Sequence, residues 1–80
     1  MRRYALQWLV PRERDRQTHV MLLDKERPAP SVVAVGHGAD KVQALLSLWR
    51  ALIKDAESAA AIAYVADEYT RRAGTVPTTS

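Results

Sequence analysis

Residues 31–54, SVVAVGHGADKVQALLSLWRALIK, contain in order a strand, a glycine-rich segment and an amphipathic helix. The run at 31–35 is apolar on both sides, which is typical of a strand covered on both faces. We expect the Gly-His-Gly segment at 36–38 to end this strand. Asp40 then caps the helix, because its carboxylate can accept from the Gln43 amide in a capping-box arrangement. The helix presents one apolar stripe, formed by Val42, Leu45, Leu46, Trp49, Leu52 and Ile53.

Two strands precede this unit. Residues 4–10 alternate in polarity with period two, and Pro11 ends the run because proline cannot donate to a β-ladder. Residues 18–23 contain four consecutive apolar positions, which again indicates a strand covered on both faces. We expect these two strands to form an antiparallel hairpin. The segment at 24–30 would make either a second hairpin or an edge crossing to the third strand.

The alanine-rich segment at 55–72 allows two interpretations. Its apolar stripe continues that of the preceding helix without a phase break, so one long helix would satisfy the pattern. Alternatively, Asp55 caps a second helix that folds back, and we favour this interpretation because it gives a more compact chain. Gly74 is a natural terminating residue, and Arg71 and Arg72 compensate the dipole at the end of this helix.

The composition describes one small domain. The chain has 80 residues, is 48% hydrophobic and contains no cysteine, which excludes a disulfide scaffold and thiolate zinc sites. We expect an α+β fold over 1–74, a three-stranded antiparallel sheet followed by an amphipathic helix and an alanine-rich helix, with a disordered tail at 75–80. Because the sequence shows neither a membrane-length apolar run nor a signal-peptide pattern, it predicts a cytoplasmic protein without membrane contact.

The second and third strands pose a problem of coverage. Both are apolar on two faces, but an amphipathic helix covers only one face of a sheet. Either the alanine-rich helix wraps over the other face or a second copy of the chain covers it. We favour a homodimer, because a core this small commonly gains stability by self-association.

The net charge of +3 comes entirely from the first third of the chain. Residues 1–28 contain seven Lys and Arg against four Asp and Glu, whereas residues 29–80 contain five of each. Residues 12–17 form an arginine-rich loop without apolar residues. Guanidinium groups bind phosphates and carboxylates in a forked geometry, so this loop predicts contact with nucleic acid or an acidic surface. The alternative is a solvated loop whose acids and bases pair locally. The candidate anion-binding residues are Arg2, Arg3, Arg12, Arg14, Arg16 and Lys41.

The sequence shows no pattern typical of a catalytic or metal site. His19 and His37 do not have metal-ligand spacing, and the Ser and Thr residues form no nucleophile elbow or triad. The glycine pair at 36–38 lacks the Lys-Ser/Thr pair of a phosphate-binding loop. We therefore predict a non-enzymatic domain without a cofactor.

The region 4–54 resembles two families. It resembles the HicB-like antitoxin family, in which three strands lead to a Gly-x-Thr-x-x-Glu-Ala-Leu motif and an amphipathic helix. The positions that match that motif in kind are Gly38, Asp40, Gln43, Ala44 and Leu45. This resemblance implies self-association and a small protein partner. The same region resembles the C-terminal half of double-stranded-RNA-binding domains, which implies contact with A-form backbone. The positions matching that second family are Gly36, Gly38, Lys41 and Ala44.

Two functions follow from these patterns. The leading prediction is a small regulatory domain whose arginine-rich hairpin loop contacts nucleic-acid phosphates. The alternative is a HicB-like protein-interaction module that binds a protein partner through its sheet or helix face.

Overall fold

A computed structural model describes residues 3–9, 16–29 and 31–78 of the chain. It contains one antiparallel sheet with the strand order β1-β2-β3, followed by two helices. The elements are β1 (Tyr4–Leu9), β2 (Thr18–Asp24), β3 (Val32–Gly38), α1 (Lys41–Lys54) and α2 (Ala59–Ala73). The α+β fold class and the separate second helix are confirmed. Because β2 and β3 are antiparallel neighbours, their connection forms a second hairpin rather than an edge crossing.

The core lies between one face of the sheet and the two helices. Alternate residues of β1 and β2 point to this side. The cross-strand pairs Tyr4–Asp24 and Trp8–Val20 are among them. This alternation places apolar residues in one layer, in which their burial stabilises the fold. The buried apolar residues are Tyr4, Val20, Leu22, Ala44, Leu45, Leu48, Leu52, Ala61 and Val65.

We expected the Gly-His-Gly segment to end the third strand. This expectation was wrong, because β3 continues to Gly38. A Cβ atom on Gly36 would lie 2.4 Å from the carbonyl oxygen of Ala44, and one on Gly38 would lie 2.5 Å from Cβ of Gln43. Real Cβ atoms do not approach other atoms so closely. The two glycines therefore allow α1 to pack directly on the strand, and they do not form a turn.

This close packing also rotates the buried side of α1 away from the predicted stripe. Ala44 and Leu48, which lie against Gly36, are completely buried although neither belongs to that stripe. Ile53, which does belong to it, is 37% exposed. The prediction for this helix was therefore right in type and only partly right in phase. Leu45 and Leu52 of the predicted stripe are completely buried, but the glycines turn the buried side toward Ala44 and Leu48.

Both helices begin at side-chain caps. Asp40 caps α1 as predicted, its Oδ1 accepting from the Gln43 N–H at 2.8 Å. We expected Asp55 to cap α2. This expectation was wrong, because Asp55 is the C-cap of α1. Ser58 takes that role and accepts from the first turn of α2. Between the helices, Ala56 has a left-handed φ of 53°, which turns the chain before α2 can start.

The second helix lies on the same side of the sheet as the first. The Tyr4 hydroxyl and the Ser58 Oγ are 3.1 Å apart, and the rings of Tyr4 and Tyr64 are 5.8 Å apart. Both contacts attach α2 to the face of β1 that points toward α1. The alternative in which the alanine-rich helix wraps over the opposite face of the sheet is therefore wrong.

Neither helix in the described part of the chain is long and apolar enough to cross a membrane.

Candidate functional site

One end of the domain gathers basic side chains from several elements. Trp8 lies near the end of β1, Lys41 is the first residue of α1, and Arg72 lies in the last turn of α2. Arg16 is exposed and precedes the start of β2. We call the group formed by Trp8, Arg16, Lys41 and Arg72 the basic end. The elements meet here because β1 and α2 finish where β2 and α1 begin.

Two cations of the basic end lie against the same indole ring. The Nζ atom of Lys41 is 5.3 Å from the Trp8 ring centroid, and the Cζ atom of Arg72 is 5.1 Å from it. Both distances are typical of cation–π contacts. Within residues 3–9, 16–29 and 31–78, no carboxylate forms an ion pair with either cation, whereas Arg71 in the same turn pairs with Asp67 at 3.1 Å. Two positive groups without an acidic partner form a favourable position for a phosphate.

The sequence-predicted arginines are only partly placed. Arg16 belongs to the basic end, and so does Lys41. Arg2, Arg12 and Arg14 lie outside the described residues.

Arg3 lies at the opposite end of β1, where acidic side chains occupy it. Its Nε and Nη2 atoms donate to the two carboxylate oxygens of Asp24, each at 3.1 Å, and Nε also lies 3.1 Å from Glu26. Forked contacts of this kind are the strongest that a guanidinium makes. Arg3 therefore joins the start of β1 to the turn after β2, and we do not include it in the basic end.

Asp24 is the centre of this structural network. It is only 1% exposed and also accepts from the Glu26 backbone N–H at 3.0 Å, while Nε of Arg27 lies 3.5 Å away. The hydrogen bonds from Arg3 hold the pKa of the Asp24 carboxyl below its usual value, against the opposing effect of burial. Arg27 continues the network to Glu57 at 3.4 Å, between the helices. These charges stabilise the fold, and they satisfy one another.

A shallow cleft of about 470 Å³ lies between the end of β3 and the exposed side of α1. His37, Gln43, Ser47 and Arg50 contribute polar groups to it, and Leu46 contributes an apolar surface. The Ser47 hydroxyl also accepts from the His37 backbone N–H at 3.3 Å. This hydrogen bond satisfies a backbone donor of the edge strand β3. No Asp or Glu is among the residues that line the cleft.

The sheet face opposite the helices is a second surface of interest, which we call the outer face. The strand registers place nine side chains on it, and none of them is Lys, Arg, Asp or Glu. Its most exposed large apolar members are Leu9, Val32 and Val35, at 39%, 39% and 48%. The outer face consists of Ala5, Gln7, Leu9, His19, Met21, Leu23, Val32, Val35 and His37.

The two histidines of the outer face are neighbours. His19 and His37 are paired across β2 and β3, and their ring centroids are 5.9 Å apart. In the described ranges, no group of three His, Cys, Asp or Glu side chains lies close enough to hold a metal ion.

The chain matches no protein-family model, no curated protein and no solved structure. The resemblances to HicB-like antitoxins and to double-stranded-RNA-binding domains therefore stay predictions.

Sequence reasoning missed two members of the basic end, Trp8 and Arg72. The position of Arg72 at the end of a helix indicated only a role in compensating the helix dipole. No local signal distinguishes Arg72 from Arg71, because each arginine follows an acid by four residues, Asp67 for Arg71 and Glu68 for Arg72. In the structure both acids pair with Arg71, at 3.1 and 4.0 Å. The contact between Arg72 and Trp8 leaves no mark in the local sequence, since the two residues lie on elements at opposite ends of the chain.

Proposed function

We propose that this protein is a cytoplasmic, non-enzymatic domain that binds nucleic acid by its phosphates through the basic end. The observation that carries this proposal is the convergence of Lys41 and Arg72 on one indole ring. Binding an anion there requires no existing ion pair to break, because neither cation has an acidic partner among the described residues.

The distribution of the acidic groups supports this assignment. Asp24 and Glu26 are held by arginines at the other end of the sheet. Asp40 is close in sequence to Lys41, but its carboxylate accepts from the first turn of α1, where the helix dipole favours a negative charge. Most acids of these ion pairs are thus engaged away from the basic end, and the carboxylate of Asp40 beside Lys41 is occupied by the helix cap.

The chemistry of the basic end favours phosphates over bases. Trp8 is half-buried and packs against the core, so its ring serves mainly to position the cations. Contacts of Lys and Arg to phosphates orient a nucleic acid but do not read its sequence. We therefore expect similar affinity for oligonucleotides of different sequence and a strong dependence on salt.

A salt titration with matched variants tests the proposal. Labelled single-stranded and duplex oligonucleotides are titrated at several salt concentrations with the wild type, Lys41→Gln and Arg72→Gln. Lys54→Gln removes the same charge from the other end of α1, and Arg71→Gln removes it from the same turn of α2. We expect each basic-end variant to reduce the slope of log K against log salt by about 0.7–0.9, the value of one phosphate contact.

The two control variants separate a defined site from general charge. Lys54→Gln and Arg71→Gln should keep the wild-type slope. Equal losses in all four variants would contradict a localised site, and absence of binding at the lowest salt would overturn the proposal. In the latter case the protein-interaction alternative would be the prediction that is left.

A further inference from the structure

The outer face has the composition of a buried surface. In an antiparallel sheet with one covered face, the residues on the other face are normally polar. Here the outward positions include Leu9, Met21, Leu23, Val32 and Val35, and no charged side chain lies among them. Because both helices occupy the other side, no described element covers these residues.

An irregularity in the sheet enlarges this apolar surface. The register between β2 and β3 shifts at Leu22/Leu23, so that Val32 pairs with Leu23 and Ala34 with Leu22. Val33 and Ala34 both pack against the core as a result. The bulge leaves Val32 and Val35 together on the outer face, where strict alternation from Val35 would have turned Val32 inward.

We infer that a second copy of this chain covers the outer face, so that two sheets pack face to face in a homodimer. When two uncharged faces meet, no unpaired charge is buried in the interface. Burying such a charge would be a large energetic cost of association. Two-fold symmetry requires only that the face be complementary to itself, and a sheet of small and medium aliphatic residues meets this condition. The face carries no charge that would select a partner of opposite sign.

The size of the outer face determines how strong this dimer is. Three strands about 4.8 Å apart, each six or seven residues long, present roughly 350 Å² in projection per copy. The lower limit for a specific interface is about 1,000 Å² of accessible surface buried in total. Once the relief of the side chains is added to the projected area, the surface that the two copies bury is close to this limit. We expect a reversible dimer with a dissociation constant in the micromolar range or weaker. This inference is independent of nucleic-acid binding, because the outer face contains no residue of the basic end.

A charged substitution on the outer face tests the inference. Val35→Glu introduces a carboxylate at a position that is 48% exposed, which the isolated monomer tolerates. Ile53→Glu is the matched control, since Ile53 is 37% exposed on α1 and lies away from the sheet. Each protein is examined by sedimentation equilibrium from micromolar to near-millimolar concentration at physiological salt, with circular dichroism to confirm folding.

The expected result is a mass that rises with concentration from 8.9 kDa toward twice this value for the wild type and Ile53→Glu. Val35→Glu should stay monomeric over the whole range. Should Val35→Glu fail to fold, Leu9→Glu, on a different strand of the same face, replaces it. A wild type that is monomeric near millimolar concentration would overturn the inference, as would a folded Val35→Glu that associates like the wild type. Loss of association in Ile53→Glu alone would overturn it too, since it would place the interface on the helices.

Discussion

Replacing Gly36 with alanine tests the closest contact in the fold. The added Cβ would lie 2.4 Å from the Ala44 carbonyl oxygen, 2.5 Å from the Leu48 backbone nitrogen and 2.7 Å from the Leu48 Cβ. Ordinary contacts of a Cβ atom begin at about 3.4 Å, so β3 and α1 must separate by about 1 Å. Two of the three atoms belong to the helix backbone and cannot rotate away, and the separation weakens the packing of Leu45 and Leu48 on the sheet.

The expected loss is large for a domain of this size. Overpacking a core costs about 1–3 kcal/mol, and we expect about 3 kcal/mol here because the obstruction is backbone. The free energy of unfolding of an 80-residue domain is roughly 4–12 kcal/mol. At about 4–8 °C per kcal/mol, the melting temperature should fall by about 12–24 °C. Backbone preference does not explain such a loss, because Gly36 does not have a positive φ.

Urea unfolding followed by circular dichroism measures this loss, with Gly74→Ala as the control. A Cβ on Gly74 meets no atom within 4 Å, but its φ of 78° is left-handed. Gly74→Ala should therefore lose only about 1 kcal/mol, from local strain at the end of α2. A Gly36→Ala protein within about 0.5 kcal/mol of the wild type would refute the close packing of β3 on α1.

Two further predictions concern the polar contacts of the fold. Because the pKa of Asp24 is lowered in the folded state, its contribution to the free energy of unfolding is fully present above its unfolded pKa of about 3.9 and is lost as the pH falls through the folded value. Asp24→Asn should therefore be less stable than the wild type at pH 7, and the difference should shrink toward pH 2 in urea titrations; a difference that does not depend on pH would contradict this role. Ser58→Ala removes the cap of α2 together with the contact to the Tyr4 hydroxyl, and should lower the free energy of unfolding by about 1 kcal/mol, whereas Tyr4→Phe removes only the second contact and should cost less. Equal losses in Ser58→Ala and Tyr4→Phe would show that the cap contributes nothing.

Features that depend on a few consecutive residues were predictable from the sequence. Asp40 caps α1 because donor and acceptor lie three residues apart, so the pattern contains the whole interaction. The glycines at 36–38 were misinterpreted because glycine marks two different situations, a bend in the chain or the close approach of another element. Only the position of α1 distinguishes them. Ser58 replaced Asp55 as the cap of α2 for a similar reason, since both residue types cap helices and the left-handed Ala56 determines where α2 starts.

The candidate surfaces were predictable to different degrees. The apolar outward side of β2 and β3 could be inferred from runs of aliphatic residues, and the structure shows that both helices leave it uncovered. The basic end could not be inferred, because Lys41, Trp8 and Arg72 are far apart in the chain and meet only through the packing of three elements. Arg3 was grouped with the loop arginines by residue type, although an acidic network at the other end of β1 holds it.

Hydrophobic periodicity by itself determined three strands followed by helical sequence, because each period is a local property of the backbone geometry. It did not determine the number of helices, since the apolar stripe continues across the left-handed turn at Ala56. Tertiary structure alone decided which side of the sheet the helices occupy, which side of α1 is buried and which arginines have acidic partners. These outcomes depend on distances between residues that are remote in sequence. The absence of a Cβ at Gly36, which allows α1 to lie directly on β3, is the local cause of the rotation of α1.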